Sequence, residues 1–593
     1  MEKYDVVIRN GLIVDGTGRT AFKGSVGIKG DKIVDVGIFT EGKADITIDA
    51  KSRVIAPGFI DSHAHFDMGI FLHLLGENYL EQGITTCISG NCGYSLAPLK
   101  DFWLIQYFDY DALYEMQPYK YYCPQIVPLE EYKKKARELY DLDVDWVTFS
   151  DLLDRLDKTP LGPNLVLFVG HNNIRVAVMG EDQMRKPRDS ELQEMKQQVA
   201  SAMEVGAWGL STGLDYFPGV LSKTEEIVEL ARVAAKHGGL YSTHWRISGA
   251  RGEQAAPVNR VRGLTEAVRI GKEAGISVQL SHLQSAYKIT PIPPPVLEEA
   301  SAKATLEVID KGLGEGVDVW FDVIPSTTFG LFAQSFLAAL LSPWVREIGS
   351  IEGLGRALAM KDFRSELKEI AKADKWYSLS SRADPDWPAR VKVTSSRNKF
   401  YVGKTIADLS EEKNKDPLDV LFDILQEDPE TIAIFAGGVH ILGETEIATY
   451  LGHTRALLGT DTLPADLKSE MKHFRKIFFR PHPNTYGGFP RYFRLYHRER
   501  GTLSLEEAVR KVTGLPAQRF GLKDRGLLAS GMKADIVLFD PQEIADVGDR
   551  IEPRRRPRGI SYVLVNGEIV VKDASHTGNA SGVLIRKKLV EKR

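Results

Sequence analysis

The sequence predicts an α/β protein: a (β/α)8 TIM barrel carrying a small β-sandwich domain formed by the N- and C-terminal segments. Three observations point there. Through the middle of the chain, short apolar runs rich in β-branched residues alternate with longer helical patterns, as repeated β-α units around a parallel sheet require. Both ends of the chain read as hairpins instead. Finally, eight of the middle runs lead into a polar residue capable of chemistry, and in an eight-stranded barrel the active site is built where the strands end.

At the N-terminus, Val6-Val7-Ile8 and Leu12-Ile13-Val14 flank Asn10-Gly11, and a further turn lies at Lys29-Gly30-Asp31. Asn-Gly favours the type I′ turn because both central residues must accept positive φ. The far end repeats this texture, with Asp535-Ile536-Val537-Leu538-Phe539 and a second Asn-Gly hairpin at Asn566-Gly567. An isolated hairpin is marginal in water, so one β-domain is expected from residues 1–56 and 528–593 together.

Residues 57–527 form the expected barrel. Val54 to Asp61 runs into His63, Gly83 to Thr86 leads to Cys92, and Leu165 to Val169 leads to His171. Trp208 to Leu210 then leads to Ser211, Gly239 to Ser242 to His244, and Ile276 to Leu280 to His282. Val319 to Phe321 leads to Asp322, and Ala456 to Gly459 to Asp461. Two insertions interrupt the repeat. The stretch 101–146 holds Phe102, Trp103, Tyr107, Phe108, Tyr110, Tyr114, Tyr119, Tyr121 and Tyr122, which suit either a lid or aromatic packing on the barrel flank. The stretch 325–454 mixes helices with an extra strand near Val391 to Thr394.

Composition narrows the function. The chain has 593 residues, 43% of them hydrophobic, enough to build large cores. A net charge of −4 gives no footprint for a polyanion, so nucleic acid is not an expected partner. No run approaches the ~20 apolar residues of a bilayer span, so no membrane partner is expected. The charged start Met1-Glu2-Lys3 lacks the pattern of a signal peptide, and only three cysteines occur, Cys87, Cys92 and Cys123. Both features fit a reduced, cytoplasmic setting. The sequence leaves the number of subunits open, a homo-oligomer included.

Asp61-Ser62-His63-Ala64-His65 is the sharpest local feature, because alternate positions at a strand end can aim two imidazoles at one point. His244, His282 and Cys92 end three other strands, and thiolate with imidazole suits Zn²⁺. A small buried thiol is the commoner fate of a cysteine, but Cys92 sits in Ser89-Gly90-Asn91-Cys92-Gly93, whose glycines permit the irregular backbone of a ligand loop. Asp461, in Gly459-Thr460-Asp461-Thr462, reads either as a turn aspartate or as the carboxylate that moves a proton beside a metal.

At these residues the chain resembles the amidohydrolase superfamily, and within it the N-acyl-D-amino-acid deacylases (D-aminoacylases). The resemblance runs over nearly the whole chain. It is carried by Gly58 to His65, Gly90-Asn91-Cys92-Gly93, Gly170-His171 with Arg175, and Gly209 to Leu214. Thr243-His244-Trp245-Arg246, Ser281-His282, Gly459-Thr460-Asp461 and a C-terminal stretch from Phe489 to Val537 continue it. It implies a metal-dependent barrel of the amidohydrolase type with one tight zinc site at Cys92, His244 and His282. The same resemblance implies that His63 and His65 with Cys92 would make a second, weaker or partly occupied site, leaving open whether one or two metals bind, and that the role of proton shuttle falls on Asp461. The implied reaction is zinc-dependent hydrolysis of a non-peptide C–N bond in a small-molecule amide, an N-acyl-D-amino acid above all, by metal-activated hydroxide. His171, Thr212 and Tyr216 become candidates for substrate contact, each with structural packing as its alternative.

The family pattern breaks at the substrate. Related deacylases place a lysine for the substrate carboxylate two residues after the last zinc histidine, where this chain has Gln284. The tyrosine expected in the next loop is also missing from Asp322 to Gly330. Either another base such as Arg246 takes the carboxylate, or the substrate is a neutral, cyclic or urea-type amide, because a buried carboxylate without a cation is costly. A non-catalytic scaffold would be expected to lose a ligand or the aspartate, and all are present.

Overall fold

The computed structural model describes residues 4–39, 43–104, 126–215, 218–246, 260–287, 293–329, 334–373, 387–435, 439–440, 442–465, 481–549 and 552–588. Two parallel sheets carry the middle of the chain. One orders its strands Asn164–Leu167, Ile84–Ser89, Phe59–Asp61. The other runs Val169–Gly170, Gly209–Gly213, Leu240–His244, Val278–Leu280, Val319–Val323, Ala456–Leu458. Backbone bonds tie the two together: Phe168 N–H donates to Ser89 O at 3.0 Å, and Ser62 N–H to Leu458 O at 3.0 Å. Each of the eight runs read from the sequence contains a strand. Ile84–Ser89 and Val319–Val323 are buried along their whole length, which is why they read as continuous apolar runs and not as alternations.

The expected Asn10-Gly11 hairpin is not formed: both residues lie inside the single strand Tyr4–Ile13, whose pairing with Phe22–Lys29 bulges between Ile8 and Gly11. Two strand boundaries also differ from expectation. In one, the run Leu165 to Val169 divides into Asn164–Leu167 and Val169–Gly170, in different sheets. In the other, the run Val54 to Asp61 reads as a single strand, yet it is two strands in different sheets. Val54–Pro57 pairs antiparallel with Ile536–Phe539, whereas Phe59–Asp61 pairs with Ile84–Ser89. The hydrogen-bond partner changes at Gly58, whose N–H donates to Asp535 O, while Phe59 N–H donates to Gly83 O. Apolar content cannot reveal such a change of partner.

The pairing of Val54–Pro57 with Ile536–Phe539 is where the two ends of the chain meet. Around it runs a nine-stranded sheet in the order Ser575–His576, Glu568–Lys572, Ile560–Val565, Ile536–Phe539, Val54–Pro57, Tyr4–Ile13, Phe22–Lys29, Lys32–Gly37, with Ala44–Asp49 also on Tyr4–Ile13. One apolar cluster draws on both ends, including Ile8, Ile13, Ile33, Ile55, Ile536 and Leu564.

In the first insertion, Phe102–Leu104 pairs antiparallel with Ile126–Pro128 and a helix follows at Leu129–Tyr140. Trp103 stacks on Tyr132 with ring centroids 4.1 Å apart, and buried Trp146 donates its Nε1–H to Leu96 O at 2.8 Å. Tyr107, Phe108, Tyr110, Tyr114, Tyr119, Tyr121 and Tyr122 lie outside the described residues. The second insertion builds its own small sheet, with Ile432–Phe435 between Gln334–Phe336 and Val391–Ser395. Helices including Ile406–Lys413 and Pro417–Glu427 share its separate core, among them Leu354, Val393, Ile406, Leu421 and Phe422.

Among the described residues, no helix is long and apolar enough to cross a membrane.

Candidate metal centre

Five predicted ligands from four strand ends converge. Cys92 Sγ lies 3.3 Å from His63 Nε2, 3.6 Å from His282 Nε2 and 3.9 Å from His244 Nδ1. His65 Nε2 is 3.0 Å from Asp461 Oδ1, and His63 Nε2 is 3.5 Å from the same oxygen. Two ligand groups result, His63–His65–Cys92–Asp461 and Cys92–His244–His282, each with its donor atoms within 4.8 Å of one another and with the sulfur in common. A tetrahedral zinc with Zn–S of ~2.3 Å and Zn–N of ~2.05 Å separates sulfur from nitrogen by roughly 3.5 Å. The three sulfur-to-nitrogen distances bracket that value, and sulfur with imidazole is the donor chemistry zinc takes. The residues fit the ion.

Local backbone explains how side chains so far apart in sequence can face one point. Cys92, His282 and Asp461 all have left-handed backbone, with φ of 58°, 38° and 53°. Non-glycine residues there carry strain, and three such residues at one centre mark a constrained functional geometry. Gly90, just before Cys92, has φ of 73°, and a Cβ on it would lie 2.3 Å from Phe168 O. Gly90→Ala should therefore cost about 1–3 kcal/mol and weaken metal retention, read from thermal melting and metal analysis. Asn91 props the loop from below, donating to Ala64 O and Ile88 O and accepting from Ser242 Oγ. Asp67 Oδ1 accepts from Gly90 N–H at 3.1 Å.

The electrostatics favour a thiolate. Burial pushes the Cys92 thiol up, but the charge on His63 and the hydrogen bonds from His244, His282 and His63 hold it well below its ordinary value. Burial likewise opposes ionisation of Asp461, which its bond to His65 and the neighbouring imidazole charges outweigh, so its carboxyl stays below the usual range. Asp461 keeps 18% of its side chain exposed. Its N–H donates to His63 O at 2.8 Å, and Thr460, beside it, donates its N–H and hydroxyl to Asp61. The last strand end is thereby latched to the first.

The remaining predicted residues sit as follows. Arg246 donates to Glu266 at 2.8 Å and to the carbonyls of Leu214, Val220 and Ser222, clamping the loop after Gly213. Thr212 Oγ1 contacts Tyr241 OH at 2.9 Å and Thr243 Oγ1 at 2.8 Å. His171 Nε2 lies 3.0 Å from Glu226, whose two oxygens also accept from the single nitrogen Nη1 of buried Arg175 at 2.6 and 2.8 Å. Gln284 is buried just beyond His282. Tyr216 lies outside the described residues.

Two carboxylates behind the ligands were not given a role from sequence. Asp322 Oδ1 is 3.3 Å from His63 Nδ1 and accepts from His282 N–H at 2.7 Å, while Asp215 lies 3.8 Å from His244 Nε2. Burial pulls His63 down, but Asp322 and Cys92 together raise it well above its usual value. Asp322 was visible as a polar strand end; nothing local in the sequence says which histidine it backs.

Comparison with known proteins places the chain in a family. Residues 47–315 and 477–571 match the model of the amidohydrolase family. D-aminoacylase of Alcaligenes xylosoxydans xylosoxydans is 29% identical over 99% of this chain and 98% of its own. The N-acyl-D-glutamate deacylase of the same organism is 30% identical over 99% and 97%. Among solved structures, a D-aminoacylase aligns with a TM-score of 0.69 at 29% identity, covering 99% of this chain and all of that one. An N-acyl-D-glutamate deacylase from Bordetella bronchiseptica, complexed with zinc and a phosphonate inhibitor, aligns with a TM-score of 0.68 at 27% identity, covering 99% of this chain and 100% of that one. The chain thus belongs to the amidohydrolase family, in the branch of the D-aminoacylases and N-acyl-D-amino-acid deacylases.

Proposed function

We propose that this protein is a zinc-dependent amidohydrolase that removes the acyl group from an N-acyl-D-amino acid or a related N-acyl compound. The observation that carries the reading is the convergence of Cys92, four histidines and Asp461 on one sulfur-centred cluster. The parallel strands are read as one eight-stranded barrel, residues 57–527, with its C-terminal strand ends forming the site. The terminal sheet, residues 1–56 and 528–593, is read as the small β-domain.

Cys92, His244 and His282 form the tight zinc site, and His63 and His65 with Cys92 a second, weaker one. Zinc bound there supplies a Lewis acid and lowers the pKa of a bound water to about 7. Asp461, ionised and partly exposed, takes the proton of the attacking water and returns it to the leaving nitrogen. His65, hydrogen-bonded to Asp461, orients that carboxylate.

A second reading of the substrate has its own support. Gln284 replaces the expected lysine, and the named donors of Arg246 are already spent on Glu266 and three carbonyls. That pattern favours an uncharged, cyclic or urea-type amide at the same centre. Metal analysis coupled to a turnover screen separates the two. N-acyl-D-amino acids, their carboxamides and cyclic analogues are assayed with the zinc-loaded enzyme. Faster turnover of free acids supports deacylation of N-acyl-D-amino acids, faster turnover of the uncharged set supports the second reading, and no turnover of any set with zinc bound ends both.

A further inference from the structure

Hydrogen bonds behind the centre continue through the interior to the opposite ends of the strands. Asp322 is fully buried; its Oδ1 faces His63 Nδ1 and accepts from His282 N–H, and its Oδ2 accepts from Gln279 Nε2 at 3.0 Å. Gln279 Oε1 accepts in turn from Arg519 Nε at 3.1 Å. Arg519, on the helix Gly514–Phe520, also donates to Ser277 Oγ and lies 3.6 Å from Asp318, where those two strands begin.

We infer that Gln279 and Arg519 are positioning residues for the metal ligand His63, acting through Asp322. The inference rests on the metal centre proposed above. A guanidinium has only donors, so the Gln279 atom that meets it is the carbonyl oxygen, and the amide NH₂ faces Asp322. Asp322 can then only accept. His282 N–H already donates to its other oxygen, and Nδ1 of His63, 3.3 Å from that oxygen, can face an acceptor-only group favourably only as Nδ1–H. Once a metal takes the second proton's place, this leaves the lone pair of the neutral His63 on Nε2, the nitrogen 3.3 Å from Cys92 Sγ. The ring nitrogen of a metal-ligating histidine that holds the proton is set by the partner of that nitrogen. Here the polarity of the whole chain is set by Arg519, at its far end.

The test uses the full-length protein stripped of metal and titrated with Co²⁺, followed by cobalt–thiolate absorption, with circular dichroism as the check on folding. Asp322→Asn should weaken cobalt binding about 10- to 100-fold, because two donors must now meet somewhere between Arg519 and His63. Adding Gln279→Glu to Asp322→Asn should restore affinity and spectrum. The glutamate accepts from both Arg519 and the new amide, and the amide oxygen is returned to His63 and His282. A merely structural role predicts no such rescue. Arg519→Met, which frees Gln279 to flip, should also weaken binding with the fold retained. Wild-type affinity in Asp322→Asn or in Arg519→Met, or a folded double variant no better than Asp322→Asn, overturns the inference while the metal centre stands. If the unmodified protein takes up no cobalt, the centre itself falls, and the inference with it.

Discussion

Asp461→Asn should leave zinc bound and lower turnover by roughly 10²- to 10⁴-fold, the usual contribution of a positioned acid–base group. The substitution is clean for three reasons. Asparagine keeps the shape of the side chain. It is among the residues best suited to the left-handed backbone of position 461, where φ is 53°. The main-chain bond from residue 461 to His63 O is unaffected by the side chain. What disappears is the proton acceptor beside His65, while Cys92, His244 and His282 still provide a complete ligand group. Wild-type kcat in a zinc-loaded Asp461→Asn variant would remove Asp461 from the mechanism.

Cys92→Ala should strip the metal. Its sulfur is common to both ligand groups, so neither keeps more than imidazole and carboxylate donors once it is gone. The loss should exceed the ~10- to 100-fold that changes behind the ligands cost. Metal bound only to the folded state stabilises it, by ~4 kcal/mol when present at a thousand times its Kd. Added zinc should accordingly raise the melting temperature of the unmodified protein and leave that of Cys92→Ala unmoved. Alanine is the informative choice because it retains a Cβ at φ 58°, so backbone strain is the same in both proteins. An alanine variant that holds zinc as tightly as its parent would show that the sulfur is a buried thiol and nothing more.

The strands were legible from sequence because a parallel strand covered on both faces is a continuous apolar run, and the chemistry-bearing residue that ends it stands out. His63, Cys92, His244, His282 and Asp461 stand out that way, and His65 by its spacing of two from His63. The partner switch at Gly58 was not, since Val54–Pro57 and Phe59–Asp61 are equally buried and only their neighbours differ. The separate core of the second insertion was hidden for a related reason. Its strands are short, and Ile432–Phe435 pairs with segments about 40 and 100 residues earlier.

What the amino-acid order alone determined is the kind of donor at each strand end and the alternation that puts those ends on one side. Both follow from local periodicity and residue chemistry. Which groups serve each other was decided only in three dimensions. His65 meets Asp461 across 396 positions, Gln279 meets Arg519 across 240, and Arg246 is spent on a loop rather than left for a ligand. Hydrogen bonds act over about 3 Å of space whatever the distance along the chain, so their pairing has no local signature to read.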